Sequence, residues 1–311
     1  NRLYRIDTID DRRFALKWYP RSATDPRDRL GAEWGAVAFL ERHGVKEVPR
    51  GIAFDVSSNF ALYEWIDGDV VASPQDNDVQ AMIAFAAKLH ELRRTSGAET
   101  LPQASEACLS AETILTQVDR RLARLTEVAE DEPALAQFLH HEFTPRCRHA
   151  EAWARHGYNL LGWRFDRPLP SELMTLSPSD FGFHNALRRA DGSIAFIDFE
   201  YFGWDDPAKL TADFQQHPGM SLPAPLAEAF RTAAIRLYEQ DETFRDRLRL
   251  TEPLYVLRWC MILLNEFLPE RWEARAFAGQ QNDRVQAMRT QLAKARRHLA
   301  RLSSQVMDFP E

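Results

Sequence analysis

Ser177-Pro178-Ser179-Asp180-Phe181-Gly182-Phe183-His184-Asn185, followed by Ala195-Phe196-Ile197-Asp198-Phe199-Glu200, is the stretch on which the reading of this chain turns. Asp180 and Asn185 stand in the spacing D-x-x-x-x-N. Asp191-Gly192 has turn chemistry, and Ile194 to Ile197 then reads as a strand ending in Asp198-Phe199-Glu200. The set is one amide and a group of acids, all hard oxygen donors.

Phosphoryl transfer needs that kind of set. A carboxylate must hold and help deprotonate the attacking hydroxyl, and Asp180 suits the part. A carboxylate and an amide oxygen must ligate the magnesium that bridges the phosphates, and Asp198 and Asn185 suit that one. A lone D-x-x-x-x-N is common, so the rest of the chain has to supply the other parts. Glu200 reads either as a structural acid or as a second magnesium contact. His184 reads either as a loop-fixing residue or as a contact to nucleotide or substrate. Asp205 and Asp206 read as caps of a helix beginning near Pro207.

Upstream, Leu3 to Ile6 reads as a strand, Asp10-Asp11 as a turn and Phe14 to Tyr19 as the return strand. Residues 29–43 carry Leu30, Trp34, Val37 and Leu40 at helical spacing, closed by Gly44. Gly51 to Val56 and Phe60 to Trp65 are two more strand-like runs, and Ile66 to Asp69 is a turn. Lys17 lies in a strand among large apolar residues, where a charge needs a partner; Glu33 on the next helix supplies it. A Lys–Glu pair of this kind places the ammonium on nucleotide phosphates.

Downstream the pattern is mostly helical, with apolar stripes over 77–93, 109–127, 133–156, 224–238, 252–268 and 280–304. Only 173–203 breaks it, with short strands and loops. The fold class is therefore α+β: a small antiparallel-sheet lobe over 1–66, followed by a large, mainly helical lobe over 67–311. The late aromatic residues Trp259 and Trp272 and the acid Glu266 read as core packing before ligand contact, as do Trp153, Trp163 and Trp204.

Composition narrows the partners. The chain has 311 residues, 45% hydrophobic and 27% charged, as folded globular proteins do. Its net charge of −7 argues against a broad grip on nucleic acid. No apolar run reaches the roughly 18–20 residues of a membrane span. Three scattered cysteines without a CxxC pair read as reduced and structural, which fits a cytoplasmic protein. No HExxH is present, and His140 and His141 are adjacent, so no His/Cys metal cage is expected.

Taken in order, Lys17, Glu33, Tyr63-Glu64-Trp65-Ile66, Leu89-His90, Asp180, Asn185 and Asp198 resemble the aminoglycoside phosphotransferase and choline kinase-like family of small-molecule kinases. The resemblance covers roughly residues 1–215 and implies a protein-kinase-like bilobal fold. It implies ATP or GTP as co-substrate with Mg2+, and a small-molecule hydroxyl acceptor such as a sugar, amino alcohol or aminoglycoside. It also implies that the connector backbone at Glu64, Trp65 and Ile66 holds the base, and that a phosphate-covering loop precedes Asn1. The chain departs from the family pattern in two places. Pro178 and Ser179 stand where the family has His and Gly, and Lys209-Leu210 follows Asp206-Pro207 with an acid only at Asp213. Pro178 fixes φ ahead of Asp180, and the Ser179 hydroxyl offers a local hydrogen bond. These departures keep open a pseudokinase that binds nucleotide or a partner without turnover, and nucleotidyl transfer is a third reading.

Overall fold

A computed structural model describes residues 1–21, 27–220, 222–272 and 283–304. The chain divides into two compact units. The first comprises Asn1–Ala107, Ser171–Gln215 and Gly219–Glu239; the second comprises Cys108–Pro170, Gln216–Pro218 and Gln240–Glu311. Residues 1–66, expected as a lobe, lie wholly inside the first unit, together with the Asp180 and Asp198 segments.

The first unit opens with β1 (Arg2–Asp7) and β2 (Arg13–Trp18), joined by a turn in which Asp11 takes φ 57°. Helix α1 (Arg29–Arg42) follows, then β3 (Gly51–Asp55) and β4 (Phe60–Glu64). The four strands form an antiparallel sheet in the order β1-β2-β4-β3. Asp28 caps α1 by accepting the Gly31 N–H at 2.8 Å, and Gly44 ends it at φ 75°. The buried stripe of α1 includes Leu30, Glu33, Val37 and Leu40, so Glu33 points inward while Glu41 is exposed. The Trp34 ring centroid lies 4.6 Å from Phe54 and 6.1 Å from Tyr63, across the sheet. Gly51 makes this approach possible, since a Cβ there would meet the indole at 2.9 Å.

Past β5 (Asp69–Val70) comes α2 (Asp76–Leu92), then three short antiparallel pairings. β6 (Thr175–Ser177) pairs with β9 (Gly203–Asp205), and β7 (Ala186–Arg188) lies between β5 and β8 (Ile194–Phe196). α6 (Pro207–Gln216) and α7 (Ala224–Leu237) complete the unit; between its first two and these, the second unit supplies α3 to α5. An aromatic core supports the strand ends. Phe85 of α2 stacks on Phe196 at 4.0 Å and Phe214 on Phe230 at 3.9 Å. Phe181 and Phe199, each one residue after an acid of interest, both pack against Phe85. Burying a phenyl ring is worth about 1.5–3 kcal/mol, so each loop is pinned at the residue after its acid.

The second unit is helical: α3 (Ala111–Val128), α4 (Pro133–Gln137), α5 (Thr144–Leu160), α8 (Phe244–Leu263) and α9 (Arg284–Leu299). α8 packs against α3, α5 and α9. Two expectations are corrected here. The stretch 133–156 is not one helix: a π-helical turn over Phe138–Phe143 separates α4 from α5. Pro145 has no N–H to give to His141 and its ring clashes with that carbonyl, so the ladder shifts and the Thr144 hydroxyl reaches back to the Leu139 carbonyl at 2.8 Å. The helix expected over 252–268 begins eight residues earlier, at Phe244, and carries Pro253 in its interior; it gives way to a 3-10 turn over Leu264–Phe267. Burial of Leu250, Leu254 and Leu257 outweighs the one ladder bond that Pro253 removes. The last expected helix, 280–304, falls partly outside the described residues; within them it spans Arg284–Leu299 and Arg301–Ser304. Among the described residues no helix is long and apolar enough to cross a membrane.

Candidate active site

Lys17 sits in β2, opposite Leu3 of β1 and Ala61 of β4. Strand alternation turns its side chain to the face covered by α1, where it is 7% exposed. Its ammonium donates to Glu33 Oε2 at 2.5 Å and to Asp198 Oδ1 at 2.6 Å, and Glu200 Oε2 lies 3.8 Å away. Burial opposes the ammonium's charge, but the carboxylates of Glu33, Asp198 and Glu200 outweigh it and hold the Lys17 pKa above its ordinary value. Burial raises the Glu33 carboxyl, Lys17 pulls it back, and the Tyr19 hydroxyl donates to it at 2.7 Å. Tyr19 and Tyr63 share a hydrogen bond of 3.0 Å, and burial followed by the Glu33 charge raises both phenols.

The segments that carry Asp180 and Asp198 are joined through Asn185. The Ile197 N–H donates to the Asn185 carbonyl at 3.0 Å, which sets the residue before Asp198 beside Asn185. The Asn185 side-chain amide donates to the Asp180 carbonyl at 3.0 Å and to Asp180 Oδ2 at 3.3 Å. That orientation leaves Asn185 Oδ1 as the hard oxygen a cation needs. Asp180 Oδ1 meets His184 Nε2 at 3.0 Å. The side chains of Asp180 and Asp198 remain 33% and 34% exposed, so an incoming molecule can reach both. Asp198 has φ 68° and Ser179 φ 64°, so a left-handed backbone flanks or carries each acid.

The carboxylates of Glu33, Asp198 and Glu200 offer oxygens within 4.8 Å of one another. Glu200 is 5% exposed and its bonds go to Asn1 Nδ2 at 2.7 Å and Arg29 Nη1 at 3.2 Å. Those bonds favour its structural reading. Asp198 with Asn185 Oδ1 supplies the hard donors that suit Mg2+.

The remaining expected residues fall as follows. Glu64 ends β4, its N–H bonded to the Arg50 carbonyl at 2.9 Å and its side chain to Arg50 Nε at 3.2 Å. The Trp65 indole N–H donates to Asp67 at 3.1 Å, and Ile66 follows in the same connector. The side-chain bonds of Glu64 and Trp65 thus go to Arg50 and Asp67. Leu89 is buried, and His90 Nδ1 lies 3.2 Å from the Thr175 hydroxyl, tying α2 to the strand that leads into Asp180. Asp206 caps α6, accepting the Ala208 N–H at 2.7 Å. Asp205 accepts the Asp206 N–H at 2.8 Å at the same helix start, and its other oxygen pairs with Lys209 at 3.1 Å. The sequence marks Lys209 only as a departure from the family pattern, with an acid at Asp213; its burial is set by tertiary packing.

The chain matches the APH family, described as "Phosphotransferase enzyme family", over residues 1–250. No curated protein matches it. Solved structures share its fold at low identity. The choline kinase LicA from Streptococcus pneumoniae aligns at TM-score 0.59 and 13% identity, over 96% of this chain and 90% of the other. An aminoglycoside phosphotransferase from Alicyclobacillus acidocaldarius gives 0.58 and 13%, over 98% and 90%. The spectinomycin phosphotransferase APH(9)-Ia, solved with ADP and spectinomycin, gives 0.61 and 11%, over 97% and 89%.

Proposed function

This chain belongs to the phosphotransferase enzyme family, and from that premise we propose that it transfers the γ-phosphoryl group of a magnesium-bound ATP or GTP to a hydroxyl of a small metabolite. A sugar, an amino alcohol or an aminoglycoside fits the reading. The observation that carries it is Lys17, which joins Glu33 and Asp198 within 2.6 Å in one cluster. A phosphate-binding lysine, its orienting acid and a metal-ligating acid need that proximity.

The roles follow from chemistry. Asp180 accepts the proton of the acceptor hydroxyl as its oxygen attacks the γ-phosphorus; the new O–P bond forms, the bond to the bridging oxygen breaks, and the nucleoside diphosphate leaves with that oxygen. Asn185 holds Asp180 by two hydrogen bonds and offers Oδ1 to the cation; Asp198 offers a carboxylate. Mg2+ bound there neutralises charge on the phosphates. Glu33 keeps Lys17 aimed at the phosphates, and the backbone of Glu64, Trp65 and Ile66 meets the base. Residues 1–66 serve the nucleotide, and the acceptor is met within 67–311. Structures of LicA with AMP and of the amicoumacin kinase hAmiN with AMP-PNP and Ca2+ support a nucleotide at this kind of fold. Buried free Cys108, Cys147 and Cys260 support a reducing, cytoplasmic setting.

The test is a metabolite panel incubated with MgATP or MgGTP, read by mass for phosphorylated product, followed by Asp180→Asn on the acceptor found. Turnover should fall about 10²–10⁴-fold with nucleotide affinity kept. Turnover within twofold of the parent removes Asp180 from the reaction. A parent that binds magnesium nucleotide yet phosphorylates nothing favours a nucleotide-binding pseudokinase.

A further inference from the structure

Lys209, in α6, is wholly buried. Its ammonium lies 2.9 Å from Asp213 Oδ2 and 3.1 Å from Asp205 Oδ2, both acids themselves buried. Its third bond goes out of this ion cluster, to the Ser179 hydroxyl at 3.1 Å. The two carboxylates hold the ammonium as ion pairs, and the Ser179 hydroxyl accepts a hydrogen bond from it. A sealed ammonium needs counter-charge, which the two acids give in full. Neutrality therefore does not explain the bond to Ser179, and geometry does.

Ser179 is the residue before Asp180, and its backbone is unusual. At φ 64° it occupies the left-handed region that favours glycine. The Asp180 N–H donates to the Pro178 carbonyl at 2.8 Å, closing a three-residue turn centred on Ser179. Such positive-φ γ-turns are strained and persist only where the surroundings over-determine them. Here they do. The Ser179 N–H donates to Ser177 Oγ at 3.0 Å, and its hydroxyl donates to the Ser105 carbonyl at 2.9 Å while accepting from Lys209. Ser105 is a fixed point, because its own N–H is bonded to the Tyr201 carbonyl at 3.0 Å. The neighbouring segment is clamped onto β9 as well: the Trp204 N–H donates to the Pro102 carbonyl at 2.9 Å, and the Ala104 N–H to the Trp204 carbonyl at 3.0 Å. A glycine at 179 would take this backbone without strain and would have no hydroxyl to anchor it.

Resting on the phosphotransferase reading, we propose that the buried tie Lys209–Ser179–Ser105 sets the position of the Asp180 carboxylate, with Lys209 and Ser179 as positioning residues that touch no substrate. Misplacing a reacting group by about 1 Å can cost on the order of 10²-fold in rate.

Ser179→Gly in the full chain is the decisive variant, because glycine accepts the turn and the fold should hold. The expected results are a variant that still unfolds cooperatively, MgATP affinity within twofold, and kcat for the acceptor lower by about 10–100-fold. Crystal structures of parent and variant should show the Asp180 carboxylate displaced. Unchanged kcat with an unmoved carboxylate overturns the tie. A parent that transfers phosphoryl to no acceptor defeats the phosphotransferase reading instead, and the carboxylate position then decides the tie alone. Lys209→Met, made together with Asp213→Asn to limit stranded charge, should lower kcat in the parent but add less than twofold in a Ser179→Ala background. Equal losses in both backgrounds would show that Lys209 does not act through the hydroxyl.

Discussion

Lys17 and Lys209 are both buried lysines held between carboxylates, and their surroundings differ. Lys17 takes its acids from distant parts of the chain, Glu33 on α1 and Asp198 after β8. Lys209 takes its acids from close by in the chain, Asp205 at the end of β9 and Asp213 one turn on in α6. The Lys17 cluster is open at one corner, since the Asp198 side chain is 34% exposed; the acids around Lys209 are 0% and 4% exposed. An ammonium with one solvent-reachable partner can exchange that partner for an incoming phosphate. One sealed on all sides can only hold its neighbours still. Burial of a charge is therefore no guide to its role until the accessibility of its partners is known.

Swapping each lysine for methionine should pull the two roles apart. Lys17→Met should cut phosphoryl transfer by about 10²–10³-fold, the scale for removing one electrostatic contact to a developing charge. Its stability loss should be the smaller of the two, because Asp198 can turn to water and Glu33 can take up a proton. Lys209→Met strands two sealed carboxylates and should destabilise by about 3–5 kcal/mol. Urea unfolding beside steady-state kinetics measures both. If Lys17→Met proves the more destabilising, the open corner at Asp198 is not relieving the charge.

The Lys17 variant also carries a pH signature. Burial raises the Glu33 carboxyl, and Lys17 is the group that lowers it again. Without the lysine the folded-state pKa rises further. A raised carboxyl contributes stability below its unfolded value, near 4.3, and loses it as pH climbs through the folded value. The melting temperature of Lys17→Met should therefore fall, as pH climbs above the unfolded value, more steeply than the parent's. Lys17→Met with Glu33→Gln should flatten the slope, and a slope that survives the glutamine assigns the titration to another group.

The same two lysines mark what the sequence made legible. Lys17 stood in a strand of large apolar residues, where alternation buries every second side chain, so its need for a partner was visible. Glu33 fell on the stripe of Leu30, Val37 and Leu40, so the partner was visible too. The spacing of Asp180, Asn185 and Asp198 carried the loop chemistry. Lys209 had acids at i−4 and i+4, which on most helices is a solvated ion-pair ladder. Only tertiary packing around α6 buries it. The π-helical turn before Pro145 and the early start of α8 were hidden for a related reason: apolar periodicity reports which face is buried, not where the ladder shifts or how a proline is tolerated.

The smallest expected effect concerns the other partner of Asp180. Gly182 has an extended backbone that any residue can adopt, so its requirement is steric. A Cβ at 182 would meet Met220 Sδ at 2.6 Å and His184 Cε1 and Nδ1 at 2.7 Å. The thioether, which also accepts the Phe183 N–H at 3.1 Å, can give way by rotating. The imidazole can give way only by leaving Asp180 Oδ1, because its Nε2 holds that bond at 3.0 Å. Gly182→Ala should therefore cost Asp180 one hydrogen bond while the Asn185 bonds remain. One such bond is worth about 1 kcal/mol, or roughly fivefold in turnover. His184→Gln, whose amide can reach the same oxygen, should lose less. A Gly182→Ala enzyme as active as the parent would mean that the lysine-anchored turn and Asn185 hold Asp180 without help from His184.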